Sequence, residues 1–119
     1  MFAPHELGRK GEDLAAELLL QKGLTILERN WRKGRTEIDI IATNGVFLII
    51  CEVKTRKNDR FGSPDESIDE RKMDALAEAG AAYQEIKSLD LEFRFDVINI
   101  LMDGEKLISI DHIEDAFHL

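Results

Sequence analysis

Apolar positions recur at helical spacing from Glu6 to Lys22, with Leu7, Leu14, Ala15, Leu18 and Leu19 on one side and Gly23 as a stop. The pattern then becomes strand-like. Leu24 to Trp31 reads as a strand, Lys33-Gly34-Arg35 as a turn, and Thr36 to Ala42 as a second strand. Thr43-Asn44-Gly45 is a hairpin signal. It precedes a nearly continuous apolar run, Val46 to Lys54, of the kind found in a central strand covered on both faces. Arg56 to Pro64 is a polar loop. Helical spacing returns from Asp65 to Lys87, with Ile68, Leu76, Ala79, Tyr83 and Ile86 on one side. Glu92 to Leu101 is β-rich, Asp103-Gly104 turns the chain into a last strand, Lys106 to Ile110, and Ile113 to Leu119 is expected as a short terminal helix. This order predicts an α/β fold whose mixed central sheet is flanked by helices. With no linker, repeat or low-complexity tract, residues 1–119 are expected to form a single domain.

Composition narrows the function classes. The 119 residues are 44% apolar and 34% charged, enough for one real core. No apolar run approaches the ~20 residues that span a bilayer, so no membrane partner is expected. The first residues lack a secretory pattern, and a lone cysteine, Cys51, excludes an intramolecular disulfide framework. A cytoplasmic location is the expectation. The net charge of −8 argues against nucleic acid when taken alone. Its distribution changes the picture: Glu28 to Arg60 holds eight basic and five acidic side chains, leaving eight basic and nineteen acidic elsewhere. A basic rim on an acidic body would bind phosphates locally and limit non-specific binding.

The candidate chemistry lies where charge interrupts apolar structure. By strand alternation Glu37, Asp39 and Ile41 share one face, and Leu48, Ile50, Glu52 and Lys54 share another. A hairpin about Asn44-Gly45 brings Asp39 near Glu52. Two close carboxylates are costly to desolvate, and a divalent cation neutralises both. An all-oxygen set with no nearby His or Cys suits Mg²⁺ or Mn²⁺. Lys54 would then orient a water, an arrangement fitted to phosphodiester hydrolysis. The same spacing also suits a cross-strand salt bridge of Lys54 with Glu37 or Asp39. Glu12 lies on the small-residue edge of the first helical stripe, facing the sheet or its rim, or serving the helix dipole. Lys72 interrupts the second stripe, and either points inward or snorkels to solvent. Cys51 falls opposite Glu52 and reads as a small core residue. Trp31 reads as a packed strand-end residue rather than a base-stacking one. His5, His112 and His118 receive no role.

Taken in order, Gly8–Glu12 (GRKGE), Asn30–Arg32 (NWR), Glu37–Ala42 (EIDIIA), Glu52–Arg56 (EVKTR), Phe61-Gly62, Lys72 and Arg94–Val97 (RFDV) resemble the YraN-like bacterial proteins. That family is placed in the PD-(D/E)XK nuclease superfamily and is similar to archaeal Holliday-junction resolvases. The resemblance implies a restriction-endonuclease-like αβββαβ core. It matches Asp39 and Glu52 to metal-binding acids, Lys54 to the catalytic lysine, Glu12 to an acid on the first helix and Lys72 to a basic residue on the second. The Val53 carbonyl is a further ligand by the same resemblance. Thr36 stands where the family pattern usually has glycine.

The leading expectation is a Mg²⁺- or Mn²⁺-dependent nuclease acting on nucleic acid, DNA rather than RNA, with branched DNA as one substrate form. Arg32, Lys33, Arg35, Arg56, Lys57, Arg60 and Lys72 would hold phosphates. Symmetric cutting of two strands would need a homodimer, and no dimer face is legible. The alternatives are a non-catalytic nucleic-acid-binding module and a protein-interaction module on the same fold.

Overall fold

The computed structural model describes residues 4–57 and 69–117. They form α1 (Pro4–Gln21), β1 (Thr25–Lys33), β2 (Thr36–Thr43), β3 (Phe47–Lys57), α2 (Glu70–Lys87), β4 (Glu92–Asp103) and β5 (Lys106–Phe117). The first six elements follow the expected αβββαβ order. The sheet runs β1-β2-β3-β4-β5. Its β3–β4 pair is parallel, and the other three pairs are antiparallel. It is therefore the expected mixed sheet. Among the described residues no helix is long and apolar enough to cross a membrane.

Each helix covers one face. Leu7, Ala15, Ala16 and Leu19 of α1 pack on Ile40, Ala42, Ile49, Cys51, Ile98 and Ile100. Leu76, Ala79 and Tyr83 of α2 pack on Ile38, Ile41, Leu48, Ile50 and Phe95. β3 is thus buried on both faces, which is why its sequence barely alternates. Cys51 is fully buried on the α1 side, and burial beside Asp96 and Asp39 pushes its thiol well above the ordinary range. Trp31 packs edge-on against Tyr83 at a centroid separation of 5.2 Å.

Several boundaries differ from expectation. α2 begins at Glu70: Asp69 is extended, and its carboxylate caps the helix by accepting from the Lys72 backbone N–H at 2.8 Å, while Asp65, the expected start, lies outside the described residues. Ile68 and Arg60 lie outside the described residues, as do Phe61, Gly62 and His118. Ile86, assigned to the apolar side, is 66% exposed, close to the left-handed C-cap at Ser88. Val46 belongs to the turn, where the Asn44 carboxamide oxygen accepts from the Val46 and Phe47 N–H groups.

The expected terminal helix is instead the second half of β5. A buried carboxylate explains it. Asp96 on β4 accepts two hydrogen bonds from Arg94, one from the Asp115 N–H and one from His112 Nε2, all within 3.0 Å. Asp115 takes a left-handed φ of 53° to present its N–H. Burial works against the Asp96 charge, but these donors outweigh it and hold the carboxyl below its ordinary value. His112, given no role by its sequence position, also meets Lys22 Nζ through Nδ1 at 2.7 Å.

Candidate active site

The β2–β3 ladder ends at Ile40↔Cys51. Continued by one step it would pair Asp39 with Glu52. The strands part there instead, and the Val53 N–H donates to Asp39 Oδ2 at 2.9 Å. Strict alternation fails at the same place. Ile38 packs on the α2 side and Ile40 on the α1 side, so Asp39 is not locked to the face of Ile41. β2 stays paired with β1 on either side, at Arg29↔Ile40 and Trp31↔Ile38, so the break is local to Asp39, at the register position of the left-handed Asn30. Asp39 therefore sits in the fork between the strands.

Three carboxylates meet on the α1 side. Oxygens of Glu12, Glu37 and Asp39 lie within 4.8 Å of one another. Two devices carry Glu12 there. Gly11 packs so closely on Thr55 of β3 that a β-carbon would overlap the threonine hydroxyl. Asn30, left-handed at φ 55°, donates from Nδ2 to Glu12 Oε1 at 2.9 Å and to Glu37 Oε1 at 3.5 Å. Asn tolerates that backbone region better than other non-glycine residues. Arg32 Nη2 closes the outer side on Glu37 at 2.7 Å.

Glu52 stands on the other side of the fork. It is 9% exposed, and Lys72 Nζ donates to its Oε1 at 2.7 Å. Burial opposes the lysine's charge, but the hydrogen bond and charge of Glu52, with Asp39, outweigh it, so the ammonium titrates above its ordinary value. Asp39 lies between the two acid groups. Desolvation, then Glu52, then Glu12 and Glu37 push its carboxyl up to about 7, against the single opposing bond from Val53.

The sequence-selected residues thus divide. Glu12, Asp39, Glu52 and Lys72 converge. Glu37 joins the acid cluster although its sequence position suggests only a strand-face residue or a salt-bridge partner of Lys54, and Asn30, which appears only within the NWR motif, was given no role. A β-disfavoured asparagine in mid-strand, one residue before a tryptophan, was the available signal. Lys54 is part-buried and makes no ion pair among the described residues, so the cross-strand salt bridge with Glu37 or Asp39 is absent. Arg56 has a buried Nε with no hydrogen-bond partner among the described residues. Lys33, Arg35 and Lys57 are exposed. Arg32 and Lys72 are engaged by acids rather than free. The left-handed turn residue is Gly34, φ 61°, so Thr36 does not need to be glycine.

The profile of the family described as "Uncharacterised protein family UPF0102" matches residues 11–100. The chain belongs to this family. A UPF0102 protein of Phocaeicola vulgatus is 44% identical over 119 residues, covering 99% of this chain and 97% of its own. One from Flavobacterium psychrophilum is 45% identical over 118 residues, covering 99% and 98%. One from Thermodesulfovibrio yellowstonii is 45% identical over 112 residues, covering 94% and 96%. The UPF0102 match runs from Gly11 within α1 through most of β4, and so includes every residue of the fork.

Proposed function

We propose that this UPF0102 protein is a metal-dependent nuclease of the PD-(D/E)XK type that hydrolyses phosphodiester bonds in nucleic acid, DNA in preference to RNA. The observation that carries the reading is Asp39: a part-buried carboxyl at the strand fork, pushed to about 7 by desolvation and the acids around it. Such an excess of negative charge calls for a cation, and its all-oxygen donors suit Mg²⁺ or Mn²⁺. Glu12, Glu37 and Asp39 would hold that ion, with Glu52 beside them once released from Lys72. The bound ion supplies Lewis-acid polarisation of a phosphoryl oxygen and a water of lowered pKa.

The chain's own residues do the rest. Lys54, which makes no ion pair among the described residues and lies two residues along β3 from Glu52, donates to the attacking water or to the charge that develops on the phosphoryl group. Lys72 compensates Glu52 before substrate arrives. Arg56, whose Nε is buried without a hydrogen-bond partner among the described residues, would meet a phosphate oxygen through the rest of its guanidinium. Lys33, Arg35 and Lys57 extend the phosphate-binding rim, as the basic stretch of the sequence suggests.

The test is cleavage of labelled linear, flapped and branched DNA in Mg²⁺ or Mn²⁺. Asp39→Ala, Glu52→Ala and Lys54→Ala are each expected to lose at least about 100-fold in rate while keeping a cooperative melt. Full activity in folded Asp39→Ala would sink the mechanism. The net charge of −8 favours one other reading, a protein-interaction module. Failure of the folded protein to bind any DNA or RNA form would select it.

A further inference from the structure

We infer that the cavity between the β1–β2 turn and α2 is a subsite for one unpaired nucleotide next to the reacting phosphodiester, an inference that rests on the nuclease reading above. Lys33, Gly34 and Thr36 form one wall, and Ala75, Glu78 and Ala79 the other, around about 270 Å³. The helical wall has i, i+3, i+4 spacing, so its three side chains share a face, and two of them are alanines that leave the space open. Both walls belong to elements that reach the fork. Lys72, whose ammonium meets Glu52, lies three residues before Ala75, and Thr36 directly precedes Glu37.

The size and chemistry select the occupant. The volume is just below the ~300–1,000 Å³ of sites for drug-sized ligands, which fits a single base better than a dinucleotide. Ala75 offers a half-buried apolar contact, and Ala79 is buried in the core. The Glu78 carboxylate accepts from the N–H groups of a base edge, the Thr36 hydroxyl donates or accepts, and Lys33 meets the attached phosphate. Lys33 and Glu78 have no ion pair or side-chain hydrogen bond with other described residues, so both are available. In a duplex that base edge is already paired and the base is stacked, and extracting it costs unpairing and unstacking energy. A flap, a branch point or a single strand delivers such a base without that cost. The cavity therefore favours DNA with an unpaired nucleotide beside the cleavage point over perfect duplex.

The full chain is tested in EDTA, where binding is read without cleavage. The probes are a flapped duplex with 2-aminopurine at the junction and a perfect duplex of equal length. Wild type is expected to bind the flap about tenfold more tightly and to change the 2-aminopurine emission. Ala75→Leu, which fills the cavity, is expected to bring the preference below about twofold while duplex affinity stays within about twofold. Glu78→Gln, an exposed substitution compatible with folding, is expected to weaken the preference several-fold and decides the matter if Ala75→Leu does not fold. An unchanged preference in the folded variants overturns the subsite and leaves the nuclease reading standing. No binding of either probe by folded wild type, in EDTA and again with Ca²⁺ present to neutralise the acid cluster, overturns the nuclease reading beneath it.

Discussion

Asp39 costs the protein stability in its ionised form. Its ordinary value of 3.8 is raised to about 7 by burial and by Glu52, Glu12 and Glu37. For an acid raised on folding, the native state binds more protons than the unfolded one between those two values. Stability from this group is therefore present at low pH and lost as pH rises toward 7. Asp39→Asn keeps an acceptor for the Val53 N–H and removes the titration. The variant is expected to melt with wild type near pH 4 and to be more stable by on the order of 2 kcal/mol near pH 8. Thermal melts across that range check it, and a constant difference at every pH would contradict the assignment. A charge retained at such a cost is one reason to read the fork as functional.

At the level of elements, Gly11 sets the distance between α1 and β3. Gly11→Ala places a methyl against the Thr55 hydroxyl, so the helix must move and Glu12 moves with it. The expected loss is roughly 1–3 kcal/mol in urea unfolding. Thr55→Gly removes the atoms the methyl meets, so the double variant is expected to recover part of the loss. Local pattern was enough to read most elements. The stripe of α1, the Asn44-Gly45 turn and the apolar run of β3 each carry their own signal. What the pattern concealed depended on partners distant in sequence. Asp69 ends the backward extension of α2 by capping it, and Asp96 draws Asp115 into β5 where helix was expected. Site residues followed the same rule. Glu12, Asp39, Glu52 and Lys72 were legible from charge set against period. Glu37 entered the acid cluster only because strand alternation breaks at the fork, and Asn30 because a left-handed residue turns its amide toward two acids.

Across the whole molecule, chemistry and anchoring occupy different stretches of chain. Every candidate site residue lies in α1, α2, strands β1 to β3, the β1–β2 turn or the segment after β3, whereas the buried Asp96 cluster ties β4 to β5. Asp96→Ala leaves Arg94 and the Asp115 N–H without their shared acceptor and is expected to cost about 3–5 kcal/mol. Cleavage per folded molecule should be unchanged, as measured by activity well below the lowered melting temperature. The same layout has a consequence during synthesis. β3 holds the most apolar stretch of the sheet, and its Phe47 end pairs with Glu92 at the start of β4. Until β4 emerges from the ribosome, one edge of β3 has no strand beside it. A nascent chain paused in α2 would present that edge to other chains, making this interval the point at which chaperone protection matters most.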